Sequence, residues 1–203
     1  MKKNLLILSL LLCFPLAGFI IDNNEPGGKA PANGFIDITV ESNVNRLFFS
    51  YPLSRTSIYD AGESGNEESE AVNIIVPVRD FRCSNETAFR DFLTLLKADQ
   101  YPELSITVPQ DYLLQNPQNE QVTIHDVIIN IAGVSKKYDI ACRVENRNSQ
   151  DYILVGIVKI RFTDLKIEPP VKYFGLVKIK DEVIVKFGFS LEDFNLATYK
   201  NSG

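Results

Sequence analysis

From Val183 to Leu191 the chain alternates: Val183, Val185, Phe187, Phe189 and Leu191 are apolar, and Ile184, Lys186, Gly188 and Ser190 stand between them. A period of two puts one set of side chains on one face, so the segment predicts a strand with a buried face. The same rhythm predicts strands at Ile36, Ile38 and Val40, interleaved with Asp37, Thr39 and Glu41, and at Leu104, Ile106 and Val108. Arg46 to Tyr51 reads as a further strand, entered through the turn Ser42–Asn45. Val72 to Arg82 reads as a strand in which Pro77 marks an edge or a bulge, because proline cannot donate to a ladder. Val122–Ile131 and Lys137–Val144 predict a hairpin joined by Ala132–Lys136. Tyr152–Phe162 predicts a strand that runs on toward Pro169–Pro170, which would stop it, and Lys178–Glu182 reads as a charged, turn-prone rim before the last strand.

One segment breaks the period. Phe89, Phe92, Leu93 and Leu96 recur at spacings of three and four, behind Ser84–Asn85 as an N-cap pair and Glu86 as an acidic first turn. This predicts one amphipathic helix running to about Ala98, stopped by Tyr101–Pro102. About eight strands and one helix, with neighbours linked by turns, define a mainly β chain folded as an antiparallel barrel or sandwich.

The flanks read differently. Lys2–Lys3, the apolar run Leu5–Leu12 and the small residues of Pro15–Gly18 have the form of a signal peptide over residues 1–21, and the run is too short for a membrane span. The expected location is therefore periplasmic or secreted, with no transmembrane span after processing. Cys13 follows Leu12 rather than the small residue a lipid-attachment site wants, which argues against anchoring there. Residues 22–34 are rich in Gly, Pro and Asn and read as a flexible linker, Asp60–Ala71 as an acidic solvated loop, and residues 195–203 as a disordered tail. Residues 35–194 are then the barrel domain, and 203 residues with 45% hydrophobic content suffice for one full core. A net charge of −5 with no basic run speaks against a nucleic-acid partner.

Chemistry is sparse. His125 is the one histidine, set in a strand pattern where surface or core roles are the ordinary ones. Gly62–Gly65 imitates only the start of a nucleophile elbow, and Gly27–Lys29 lacks the spacing of a phosphate loop. Cys83 and Cys142 are too few for a closed zinc site; in an oxidising compartment they permit a disulfide, or they are two buried thiols. Asp181–Glu182 would point to opposite faces of a strand, and the sequon Asn85–Thr87 reads as a helix cap rather than a glycosylation site. The expectation is a non-catalytic protein without metal or cofactor. Thirteen Phe and eight Tyr, with no Trp, can fill a core or line a cavity, and periodicity leaves both open.

Four blocks in order resemble the YceI-like family of exported lipid- or polyisoprenoid-binding proteins, in the form of its Bacteroidetes-type members. They are Asn43–Asn45 with Phe48–Phe49; Val76–Ile106, with Asn85, the helix and the Tyr101–Pro102 stop; Ile131–Lys136; and Phe162–Leu191, with Pro169–Pro170, Gly175–Leu176 and Lys180–Val183. Thr163–Lys166 departs from the Arg and Phe-Gly pair of better-known members. The resemblance implies an eight-stranded antiparallel lipocalin-like barrel whose interior holds an isoprenoid or other lipid chain, with the helix against its mouth; a homodimer is compatible with it. The candidate lining residues are the inward-facing Ile106, Val108, Tyr138, Ile140, Val158, Ile160, Val185, Phe187 and Phe189, each of which is also a natural core position. The alternative is a filled barrel that serves as a cell-envelope protein-interaction module.

Overall fold

A computed structural model describes residues 34–53, 58–60, 71–109, 121–148 and 151–190. The signal segment with Cys13, most of the linker, the core of the acidic loop and the tail lie outside the described residues.

Eight long strands carry the fold: β1 (Gly34–Ser42), β2 (Arg46–Pro52), β4 (Ala71–Pro77), β5 (Glu103–Pro109), β6 (Gln121–Ile131), β7 (Val134–Asn148), β8 (Asp151–Arg161) and β10 (Val177–Ser190). Two short ones, β3 (Ile58–Asp60) and β9 (Val171–Lys172), are added at the margins. The order across the sheet is β2-β1-β10-β8-β7-β6-β5-β4-β3, with β9 paired to β10, and every pairing is antiparallel. The sheet curls into a half-barrel, as the mainly β reading expects. Its flanks meet where Ser50 on β2 exchanges both backbone hydrogen bonds with Arg82, just past β4, at 2.9 and 2.8 Å.

The helix α1 (Glu86–Leu95) lies against that seam. Asn85 caps it as expected, its Oδ1 accepting from Ala88 N at 2.9 Å. The helix ends three residues before Ala98: Lys97 adopts a left-handed φ of 52°, and Ala98 N closes onto Leu93 O at 2.9 Å. Phe92 is its anchor, stacked on Phe49 of β2 at 4.5 Å between ring centroids and edge-on to Phe81 at 5.4 Å. Such pairs add about 0.5–1.5 kcal/mol each beyond area burial, so one side chain ties helix, β2 and the seam together.

Several boundaries move. The β6–β7 turn is two residues, Ala132 (φ 50°) and Gly133 (φ 77°), rather than five, because two consecutive positive φ values make a tight hairpin turn. β8 stops at Arg161, not at the proline pair: a 3₁₀ turn, Thr163–Leu165, and a left-handed Lys166 (φ 56°) intervene. Lys178–Glu182 is not a rim but regular strand, with Lys178, Lys180 and Glu182 exposed and Val177, Ile179 and Asp181 turned to the other side. A bulge between Ile124 and Val127 keeps both of these buried and turns His125 and Asp126 outward, with Asp126 at φ 58°.

The disulfide that two cysteines permit is not formed: both thiols are free. Cys142 points into the core from β7, while Cys83 lies past β4, with β5 and β6 between them in the sheet. Burial pushes the Cys142 thiol up to about 12.

An apolar cavity at the mouth of the half-barrel

The inward face of β10 changes in side-chain size along its length, and the interior follows. From its start the face carries Val177, Ile179, Val183 and Val185; at its end it carries Phe187 and Phe189, whose rings lie 5.0 Å apart. At the ring end the interior is full. Ile106 and Val108 of β5, Ile140 of β7, Leu154 and Val158 of β8, and the two rings leave a void of about 30 Å³, room for about one water. Gly156 makes that packing fit, because a Cβ there would sit 2.2 Å from Phe187 Cζ and 2.8 Å from Cys142 Sγ.

At the aliphatic end the interior is hollow. A cavity of about 830 Å³ opens there, within the roughly 300–1,000 Å³ of ligand pockets. Ile38 and Val40 of β1, Leu47 and Phe49 of β2, Leu104 of β5, Ile131 of β6 and Ile160 of β8 form its walls. Ala88, Phe92 and Leu95 of α1 close one side, and Phe162, Leu165, Pro170 and the β9–β10 hairpin cross the other. Polar groups sit among this lining as Asn45, Asn85, Thr87, Asp91 and Lys172. Lys172 Nζ meets Asp91 Oδ1 at 2.8 Å, fastening the hairpin to the helix across the opening. The hairpin is also stitched to the β1–β2 turn: Asn43 Nδ2 donates to Leu176 O and Lys178 N donates to Asn43 Oδ1, both at 2.9 Å. Below it, Asp181 accepts from Thr163 N at 2.9 Å and Thr163 Oγ1 at 2.8 Å, and these bonds hold its carboxyl below the usual carboxylate range.

The candidate residues divide between the two ends. Ile160 and Val185 line the large cavity, Val185 at its boundary with the filled end. Ile106, Val108, Ile140, Val158, Phe187 and Phe189 surround the small void. Tyr138 belongs to neither wall; its hydroxyl is buried without a hydrogen-bond partner among the described residues, and burial, with Asp164 nearby, raises its pKa. The sequence places the helix against the mouth, but the lining residues of α1, β2 and the 162–177 segment are not among the candidates. Alternation shows which residues face inward but not how far a wall stands from its opposite, and only the drop from Phe to Val and Ile on one face signals the hollow.

His125 lines neither and faces outward. It is half exposed on the bulge, Nδ1 3.2 Å from Asp139 Oδ1, with Asp126 and Lys137 paired beside it at 3.0 Å. Among the described residues no group of His, Cys, Asp and Glu has the arrangement of a metal site, and no helix is long and apolar enough to cross a membrane.

Solved structures share this half-barrel fold. The chain is similar to BcnA of Burkholderia cenocepacia, with a TM-score of 0.58 at 10% identity over 77% of this chain and 95% of that one. It is similar to a polyisoprenoid-binding domain from Saccharophagus degradans implicated in plant cell wall breakdown, with a TM-score of 0.55 at 11% identity over 77% and 92%. The YceI protein of Campylobacter jejuni aligns at a TM-score of 0.46 and 16% identity over 80% and 85%. Comparison with protein-family profiles and with curated proteins finds no match. The fold expected from the YceI-like motifs is the fold of this chain.

Proposed function

We propose that this chain is an exported, non-catalytic YceI-like protein that carries or sequesters an apolar chain, an isoprenoid or another lipid, in the cavity at its mouth. One observation carries this: about 830 Å³ of space bounded by aliphatic and aromatic side chains and entered past a polar rim. A water-filled hollow with such walls gains free energy by taking up hydrocarbon, at roughly 25 cal/mol per Å² of apolar surface removed from water. The Saccharophagus domain, whose fold is shared, is polyisoprenoid-binding, which supports the choice of ligand class. Export follows from the Lys2–Gly18 pattern and supports a role in shielding lipid across an aqueous compartment. The filled-barrel alternative fits only the phenylalanine end.

Native mass spectrometry of the protein with added geranylgeraniol tests the reading. A retained one-to-one complex, weakened when Val183 is replaced by Phe, is the expected result. No retained mass for geranylgeraniol or for palmitic acid would refute it.

A further inference from the structure

Five of the eight exposed large apolar side chains among the described residues gather in one place: Val44, Val171, Tyr173, Phe174 and Leu176. They crown the β9–β10 hairpin and the β1–β2 turn stitched to it. Phe174 is fully exposed, and Leu176 is 73% exposed. Their backbone makes this costly. Tyr173 and Phe174 both adopt left-handed φ values, 53° and 57°, where Asn or Gly sits easily and a bulky aromatic residue does not. The fold thus holds an aromatic ring out in water, on a strained backbone.

The charge at the tip itself is positive: residues 172–178 begin and end on lysine and hold no acidic residue, within a chain of net charge −5. Lys172 and Lys180 pair with Asp91 and Glu41, while Lys166 and Lys178 have no ion pair among the described residues. Aromatic and aliphatic side chains ringed by lysine are the composition of a segment that sits in a bilayer interface. The tip is also the cavity's own rim: Val44, Tyr173 and Leu176 line the opening as well as facing solvent.

We propose that this hairpin tip is a membrane-docking element for anionic bilayers. Phe174, with Tyr173 and Leu176, enters the headgroup–acyl boundary while the lysines meet lipid phosphates. Docking presses the cavity mouth against the bilayer, so an apolar chain passes between membrane and cavity without crossing water. The transfer role rests on the cavity being a lipid site; the docking does not.

Phe174 is absent from the cavity wall, and Asn tolerates the left-handed backbone, so Phe174→Asn removes the ring and leaves the pocket and fold alone. Co-sedimentation with vesicles of phosphatidylcholine plus phosphatidylglycerol, and of phosphatidylcholine alone, is read beside geranylgeraniol retention in native mass spectrometry. The wild type should bind the anionic vesicles preferentially, Phe174→Asn should weaken that binding about tenfold, and both should retain geranylgeraniol equally. Lys178→Gln should weaken only the anionic-vesicle binding, by about fivefold. Equal vesicle binding by wild type and Phe174→Asn, or none by either, would overturn the proposal. So would a wild-type dimer that Phe174→Asn turns into a monomer without any vesicle binding, because the patch would then serve a second copy. Vesicle binding lost in Phe174→Asn, with geranylgeraniol retained by neither protein, would uphold docking and sink the cavity reading.

Discussion

The same substitution at two valines separates the hollow end of the interior from the filled one. Val158 on β8 and Val183 on β10 are buried alike, at 7% and 6% exposure, on strands that pair with each other. Phenylalanine in place of valine adds four carbon atoms to the side chain. At Val158 those atoms meet a void of about 30 Å³, too small for more than about one water. The rings of Phe187 and Phe189 at the same void would have to leave their positions. Overpacking of this kind costs about 1–3 kcal/mol. At Val183 the new ring enters a cavity of about 830 Å³, where it displaces only solvent or ligand. Urea unfolding should therefore show Val158→Phe destabilised by about 1–3 kcal/mol with an unchanged m-value, and Val183→Phe within about 1 kcal/mol of wild type. Native mass spectrometry should show the converse for geranylgeraniol: retained as in wild type by Val158→Phe, retained less by Val183→Phe. Equal destabilisation by the two substitutions would refute the division of the interior.

Further outcomes follow from individual contacts. Gly156→Ala places a Cβ 2.2 Å from Phe187 Cζ, so its urea midpoint should fall by the equivalent of about 1–3 kcal/mol. Asp91→Asn removes the partly exposed ion pair that fastens Lys172 to the helix; melting should shift by no more than about 4 °C, while amide exchange across residues 171–177 quickens. Iodoacetamide should leave Cys142 unlabelled in the native protein and label it after unfolding, read by peptide mass mapping, because the thiol is buried and its pKa lies near 12. Burial raises the Asp37 carboxyl above its ordinary value, with Lys186 opposing, so the folded chain holds that proton more tightly than the unfolded one. Its ionisation therefore lowers stability as pH rises through the folded pKa, and replacing it with Asn should stabilise the fold at neutral pH and lose that advantage below the unfolded carboxylate pKa. Asp181 has the opposite sign: its contribution is present above the unfolded pKa and lost on acidification, so Asp181→Asn should matter at neutral pH and become silent in acid.

Much of the architecture was legible because strands and helix announce themselves by period. The alternation in β1, β5 and β10 and the three-four spacing of Phe89, Phe92, Leu93 and Leu96 depend on one face meeting the core, which the fold obeys. Asn85 was legible as a cap because a single hydrogen bond to Ala88 N accounts for it. What escaped depends on backbone angles that ordinary residues rarely adopt. Ala132, Lys166, Tyr173 and Phe174 all take positive φ, and none is Gly. The short hairpin turn, the early end of β8 and the β9–β10 tip hang on these residues, and composition carries no sign of them. The bulge at His125–Asp126 escaped for the same reason, since Asp126 also takes positive φ.

The cavity wall was legible only in half, and the reason is geometric. Alternation ranks Phe187 and Phe189 as the most prominent inward residues, and size makes them the least able to border an empty space: two rings on one face reach the opposite wall and close it. Valine and isoleucine on the same face stop short, so the hollow falls where the inward residues are smallest, between Val177 and Val185. That end is also the one that α1 and the hairpin cover. The hairpin is fastened to α1 by an exposed ion pair and to the β1–β2 turn by three hydrogen bonds of Asn43. Contacts of that kind open at small cost, about 0.2–1 kcal/mol for an exposed ion pair. The same segment therefore borders the cavity, crosses its opening and carries the apolar tip, and its short strand β9 pairs with β10 alone.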